Sequence, residues 1–479
     1  MLEFTKHSAL EVATAFPRVN VQRRWGRAVG VAMLVVATAA QSSNAQVRAP
    51  VSDAPSAAWQ ALGDTTLVRL TRTALRENRD VQAAQATVRG ARLARRLVAF
   101  DFAPTVTVNY GLARRRFSAA QFPGVPATLR DADIHDAGFD ASWEIDLFGR
   151  TRNTYRAQGD IAASVGEDLR DVQLSLESEV ARTYFELRGA ERQLAVANRN
   201  VVNQQRTLQL TVDRLLAGRG TAFDRERASA QVSTTLADVA AIEARRAAAS
   251  YQLSVLVGGP PDVTPLPVGP DDDLDVEEST SFPLPAAPAF ERVSALISER
   301  PDVRSADERF AAARALVDAA RADYLPRLNI VGSVGYNTAN TSTFGQREAS
   351  RYAIGPVISW PAFNFGRVHT RSEATRASAD QARARRDGAL MAAQAEVQSS
   401  IVMYSSAQTR LGLLRDAASS SERGAGLARM RFDGGESGFL EVLDAQRNLF
   451  AAQDRLARGE TDAAIAYVAL FKALGGRWR

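Results

Sequence analysis

The feature that most constrains this chain is an internal repeat. Asn78-Arg79-Asp80-Val81 returns as Arg300-Pro301-Asp302-Val303, and Asp101-Phe102-Ala103-Pro104 returns as Asp323-Tyr324-Leu325-Pro326, both 222 residues later. Ser142-Trp143 and Phe148-Gly149-Arg150 return as Ser359-Trp360 and Phe365-Gly366-Arg367, and Val257-Gly258-Gly259 returns as Leu474-Gly475-Gly476, all 217 residues later. The offset falls by five because the stretch between Pro326 and Trp360 is shorter than its counterpart between Pro104 and Trp143. An ordered series of matches with one deletion describes two copies of one structural unit. The copies are 46–257 and 291–479. The Pro- and Asp-rich stretch 258–290 between them reads as an irregular linker.

Each copy has the order short helix, strand, strand, long helix, short helix. The long helix of copy one is expected over 151–217, where Val180, Leu187, Leu194, Val201, Leu208 and Leu215 recur every seven residues. An apolar seam that persistent indicates coiled-coil packing. At about 1.5 Å per residue such a helix spans roughly 100 Å. Its counterpart is expected over 368–432. Short helices are expected over 65–98, 224–257, 291–322 and 441–474. Two of them laid end to end match one long helix. In the last, Val442, Leu449, Leu456, Ala463 and Leu470 repeat the seven-residue step. Helices alone would fit an ordinary bundle.

The strands add a different constraint. They are expected over 104–117, 135–148, 326–340 and 350–365. Val106, Val108, Tyr110 and Leu112 alternate with polar or small residues, as do Ala137, Phe139, Ala141, Trp143, Ile145 and Leu147. Leu328, Ile330, Val334 and Tyr336, then Tyr352, Ile354 and Ile358, continue the pattern. Two-residue alternation makes one greasy and one wet face. A half-buried soluble sheet alternates too, so the context decides. Arg23, Arg24 and Arg27, the apolar run Ala28 to Ala40, and Ser43-Asn44-Ala45 together read as a secretory signal peptide over 1–45, cut after Ala45. An exported chain with segments of about ten alternating residues fits a transmembrane β-barrel. Four strands cannot close a barrel wide enough to conduct. If the sheet spans a bilayer, other subunits must pair its edges. Three copies supply twelve strands.

Other classes are poorly served. The net charge is +5, but residues 1–45 hold five basic and two acidic residues, so the rest carries 54 basic against 52 acidic side chains. The arginines are interspersed with carboxylates along helical stretches, so no nucleic-acid partner is expected. Cysteine is absent, and His7, His135 and His369 are scattered, so no metal site and no cofactor is expected. There is no phosphate-binding glycine loop and no nucleophile elbow, hence no catalytic residue and no enzyme.

Trp143-Glu144-Ile145-Asp146-Leu147-Phe148-Gly149-Arg150 resembles the strand-to-helix motif of outer-membrane efflux proteins of the TolC type, in the OprM/NodT branch. Ser359-Trp360-Pro361-Ala362-Phe363-Asn364-Phe365-Gly366-Arg367 resembles its second copy, and Gly434-Gly435 through Phe439-Leu440-Glu441-Val442-Leu443-Asp444-Ala445-Gln446 resembles that family's periplasmic hairpin. The resemblance covers about 60–479. It implies a mainly α chain with a transmembrane β-barrel: a homotrimer whose twelve-stranded barrel sits in outer-membrane lipid and continues as a coiled-coil α-barrel into the periplasm. It implies docking to a periplasmic adaptor and an inner-membrane pump of RND or ABC type, and a passive exit duct for drugs or other small molecules. Many members of the branch carry a lipidated cysteine, and this chain has none. The resemblance places a periplasmic gate at Asp224, Leu440, Glu441, Asp444 and Arg447. It places adaptor-docking tips at Gly218, Gly220, Gly434, Gly435 and Ser437. Glycine also serves there to end a helix at positive φ, and a carboxylate at a helix start is stabilising in itself. Trp143, Gly149, Arg150, Trp360, Gly366 and Arg367 are the strand-to-helix residues. Glu373 and Asp380 are expected higher on the second long helix. The alternative reading is a periplasmic coiled-coil adaptor or structural protein, which shares the export signal and heptads but does not need the strands.

Overall fold

The computed structural model describes Trp59 and residues 62–118, 120, 123–124, 126, 131–260 and 284–476. The expected signal peptide and most of the linker lie outside the described residues. The elements are α1 (Thr65–Glu77), α2 (Arg79–Ala99), β1 (Thr105–Arg116), β2 (Asp131–Ile145), α3 (Arg150–Leu216), α4 (Ala222–Leu256), α5 (Phe290–Val293), α6 (Pro301–Ala322), β3 (Arg327–Thr338), β4 (Ser350–Ser359), α7 (Phe365–Asp433) and α8 (Phe439–Ala473). The chain is mainly helical with one small sheet. α3 and α7 have 67 and 69 residues, so each is roughly 100 Å long.

The repeat survives as matched contacts. Asn78 Nδ2 donates to Leu256 O at 3.1 Å, and Arg300 Nη1 donates to Ala473 O at 2.6 Å. In each copy, therefore, the chain entering the unit caps the helix that leaves it. Both exits are glycine-terminated helix ends of the Schellman kind: Gly259 N donates to Ser254 O at 3.0 Å, and Gly476 N to Phe471 O at 3.1 Å. Gly258 has φ +84°, and a Cβ there would lie 2.7 Å from Glu77 O.

Those same contacts explain two departures from expectation. The helix expected over 65–98 is broken at Asn78, whose extended backbone and side chain cap α2 through Asp80 N and Val81 N. The helix expected over 291–322 is broken before Pro301. Arg300 has φ −59° and ψ 139°, the extended conformation that a following proline imposes.

The α3 seam also differs from the expected one. Its buried stripe is Ala190, Gln193, Ala197, Asn200, Gln204, Thr207 and Thr211, in alternating steps of three and four. This lies one residue to the side of the leucine series. Of the expected series Val180, Leu187 and Val201 are buried, while Leu194, Leu208 and Leu215 are half-buried. Small and polar knobs let α3 come close to its neighbours: at Gly189 a Cβ would lie 2.1 Å from Thr461 Oγ1 of α8. Leu187 is buried with that contact and Leu194 packs against the buried Ala190, Ala197 and Ile242, while Leu208 and Leu215 flank the stripe. The largest fully buried side chains include Trp59, Tyr404, Phe185 and Phe471. The Trp59 ring lies tilted 4.4 Å from the Phe471 ring, and Trp59 Nε1 donates to Glu177 Oε2 at 3.1 Å.

The four strands form an antiparallel sheet in the order β1-β2-β3-β4. β2 ends at Ile145, short of the expected Phe148, and β4 ends at Ser359, short of the expected 365. The cause in β2 is Asp146. It accepts from Thr151 N at 3.2 Å and Arg152 N at 2.8 Å, so it caps α3 and does not continue the wet face of a strand.

Candidate functional site

Register turns four separate alternations into two continuous faces. One row across the sheet is Val108, Phe139, Val334, Tyr352, and the next row on that face is Val106, Ala141, Gly332, Ile354. This face is apolar and open: Val108 is 74% and Tyr352 84% exposed. Between these rows, on the other face, lies Thr107, Asp140, Ser333, Ala353. That polar face is the concave one. Thr105, Thr107, Asp140, Ser142 and Ser333 help line a groove of about 580 Å³. Its polar groups satisfy one another. Asn109 Nδ2 donates to Asp140 at 2.6 Å, Asn337 Nδ2 donates to Asp136 at 2.6 Å, and Arg351 also pairs with Asp136. Gly138 and Gly335 face each other across β2 and β3 so closely that a Cβ on Gly335 would sit 2.2 Å from Ala137 O. A wet concave face and an unpartnered greasy convex face suit a wall between lipid and water.

The strand-to-helix residues knit that sheet to the long helices. Trp143 Nε1 donates to Phe102 O at 2.9 Å, and Trp360 Nε1 to Tyr324 O at 3.1 Å. Arg150 grips Glu144 with two bonds, at 3.0 and 2.8 Å. The copies then diverge. Gly149 precedes α3 at φ +78°, while Gly366 lies within the first turn of α7, as does Arg367.

At the far end are two turns. Gly218 has φ +70° and Gly435 φ +76°, each closing a Schellman end: Arg219 N donates to Arg214 O, and Glu436 N to Arg431 O, both at 2.9 Å. Gly434 has φ −77° and Gly220 is not among the positive-φ glycines, so the expected left-handed role falls to Gly218 and Gly435 alone. Ser437 lies half-buried in the second turn.

The acidic residues expected at the gate all meet polar partners within the subunit. Asp224 accepts from Thr221 N at 3.2 Å and from Thr221 Oγ1 at 2.7 Å, completing a capping box for α4. Asp444 lies 3.2 Å from Arg227 of α4 and 4.0 Å from Arg447. Glu441 lies 3.6 Å from Arg431. The starts of α4 and α8 thus carry an alternation of carboxylate and guanidinium, not a purely acidic cluster. Leu440 is exposed, while Phe439 packs its ring 5.4 Å from Phe432, with Arg214 over Phe432 at 4.9 Å.

Sequence reading missed Arg227, and it placed Arg431 and Arg214 at the two reversals without their contacts to Glu441 and Phe432. A signal for Arg227 existed: it stands 217 residues before Asp444, so the repeat puts opposite charges at equivalent positions. It also missed Phe223, which, like Leu216 of the first reversal, is strongly exposed beside the first turn. Among the described residues no group of His, Cys, Asp and Glu could hold a metal ion, and no helix is long and apolar enough to cross a membrane.

Residues 70–259 and 293–476, one stretch in each copy, match the outer membrane efflux protein family. The chain is 30% identical over 426 residues to the pyoverdine export outer membrane protein OpmQ of Pseudomonas aeruginosa, covering 88% of this chain and 87% of that one. It is 28% identical over 421 residues to the toluene efflux pump outer membrane protein TtgF of Pseudomonas putida, covering 88% and 85%. The solved outer-membrane channel OprN superposes with a TM-score of 0.79 at 31% identity, covering 91% of this chain and 96% of that one.

Proposed function

This chain belongs to the outer membrane efflux protein family, and from that premise we propose that three copies close a twelve-stranded barrel in the outer membrane, continued by an α-barrel in the periplasm. The chain is an efflux channel component of the outer membrane and not an enzyme. The coiled-coil adaptor alternative is set aside with it. One observation supports the trimer above the rest: the sheet has a continuous apolar face and two edge strands, β1 and β4, that pair with nothing beyond the sheet among the described residues. An open edge in lipid leaves peptide groups unsatisfied at several kcal/mol each, so other copies must cover it. Chemical cross-linking of protein purified from outer membranes should stop at three chains. A ladder that stops at one or two would defeat the reading.

The tips are the part proposed to meet a periplasmic adaptor and, through it, an inner-membrane pump. Relatives named as parts of efflux pumps support that reading, and so does the exposure of Leu216 and Phe223. The cargo is small molecules moving passively. The gate is proposed at Asp444 and Glu441. Arg227–Asp444 joins the two helical hairpins of one subunit, so loss of the pair loosens the tip. Both side chains are partly exposed, which limits the pair to about 1 kcal/mol. Arg227→Gln and Asp444→Asn should each raise single-channel conductance in planar bilayers, and the double variant should add little beyond either. Independent, additive effects would separate the pair from the gate.

A further inference from the structure

Inside the chain the second copy packs on α3 of the first through α8 and, at the end nearer the sheet, through α6; that α6–α3 contact is the inner junction. A closed ring of three chains, the reading this inference rests on, makes them meet again: α2 of one subunit against α7 of the next. The inner junction is a template for the outer one.

Burial follows that template. Ala315, Ala319 and Ala322 of α6 are buried, but the residues 222 positions earlier, Leu93 and Leu97 of α2 and Phe100 just after it, are 56%, 68% and 64% exposed. Ala157 and Ser164 of α3 are buried, but Ala374 and Gln381, 217 positions later on α7, are exposed. α2 therefore offers bulky side chains where α6 has alanine, opposite a face of α7 that includes Ala374, Ala377 and Ala384.

Charge fixes the register. In the template, Arg304 of α6 lies 3.2 Å from Glu167, Ser305 donates to Asp168 at 2.5 Å, and Arg309 lies 2.6 Å from Asp168. The helices run antiparallel. Carried over by the two repeat offsets, these contacts set Arg89 of α2 opposite 377–383 of α7, and Arg96 opposite 370–376. The one acidic residue in the first window is Asp380, at its centre; in the second it is Glu373, also at its centre. Arg89 and Arg96 stand one and two heptads beyond the position equivalent to Arg304. Asp380 and Glu373 stand four and eleven residues before the position equivalent to Glu167, on the same helix face. Among the described residues Arg89, Arg96 and Asp380 make no ion pair, all are exposed, and Glu373 pairs with Arg376 of its own helix at 2.6 Å.

We propose that Arg89 and Arg96 of one subunit pair with Asp380 and Glu373 of the next, and that these pairs lock the register of the ring. Such flanking pairs choose partner and alignment more than they add strength.

The chain has no cysteine of its own, so introduced thiols report cleanly. Arg89→Cys with Asp380→Cys, and Arg96→Cys with Glu373→Cys, should each give a covalent trimer with a short bismaleimide. Arg89→Cys with Asp387→Cys, one heptad or about 10 Å out of register, should give at least about fivefold less. Should the thiol variants misassemble, Arg89→Glu is expected to shorten the lifetime of the detergent-solubilised trimer about threefold, and Asp380→Arg in the same chain to restore it. A particle of three chains that cross-links equally in and out of register, or charge reversals that do not compensate, overturns these pairs and leaves the trimer intact. A particle of one chain overturns both readings.

Discussion

At the scale of single residues, Arg300 is the strongest test of how the copies are pinned. It is buried, caps α8 through Ala473 O, and pairs with Asp302 at 2.9 Å and Glu396 at 2.7 Å. Burial pushes the Asp302 carboxyl up, and the hydrogen bonds and charge of Arg300 outweigh it, holding the group below its ordinary value. That contribution to stability is present above the unfolded carboxylate value and is lost as pH falls through the depressed folded one. Arg300→Gln removes that charge and its hydrogen bonds and leaves only backbone N–H groups, such as Val303 N, to oppose burial. The variant should lose about 2 kcal/mol at neutral pH. Its deficit in melting temperature against the wild type should hold between about pH 7 and 5 and shrink as pH is lowered from about 5 to below about 3. A deficit independent of pH would mean the pair with Asp302 contributes nothing. The sequence displayed Arg300-Pro301-Asp302 as a repeat marker, but not as a capping site, because its partner Ala473 lies far along the chain. Asp146 was misread for a related reason. Alternation fits it as a strand residue, and only the backbone of Thr151 and Arg152 reveals a cap.

At the scale of elements, the sheet divides substitutions by face. Val108→Arg and Phe139→Arg, a mid-strand pair, add charge to the apolar face and should impair insertion, at roughly 2–4 kcal/mol for a lipid-facing arginine near midplane. Asp140→Asn, on the concave face, should insert normally. Heat-modifiable migration of outer-membrane extracts measures this, and equal yields at all three sites would mean the convex face does not meet lipid. Gly335→Val should fail for another reason, because its Cβ would collide with Ala137 O and break the β2–β3 ladder. Strand alternation was legible in sequence because its period is local. That the four greasy faces are one face was not, because register belongs to pairing. Heptads were legible too, and Val180, Leu187 and Val201 of the series are buried, but toward the tip Leu208 and Leu215 mark only the flank of the buried stripe of α3. A close helix contact is made by alanine, threonine and glutamine, and hydrophobicity alone ranks those residues below the leucines beside them.

At the scale of the whole molecule, the repeat was the most informative feature. It gave two copies of one unit, four strands too few to enclose a pore, and a need for further chains. What it could not give is the junction between chains. That required seeing which face of α3 is buried by α6 while the matching face of α7 stays open. Native mass spectrometry of protein extracted from outer membranes in detergent tests the central claim most directly. The account predicts a particle of three chains that releases monomers only on denaturation. A single chain, recovered from the periplasm without detergent, would contradict it.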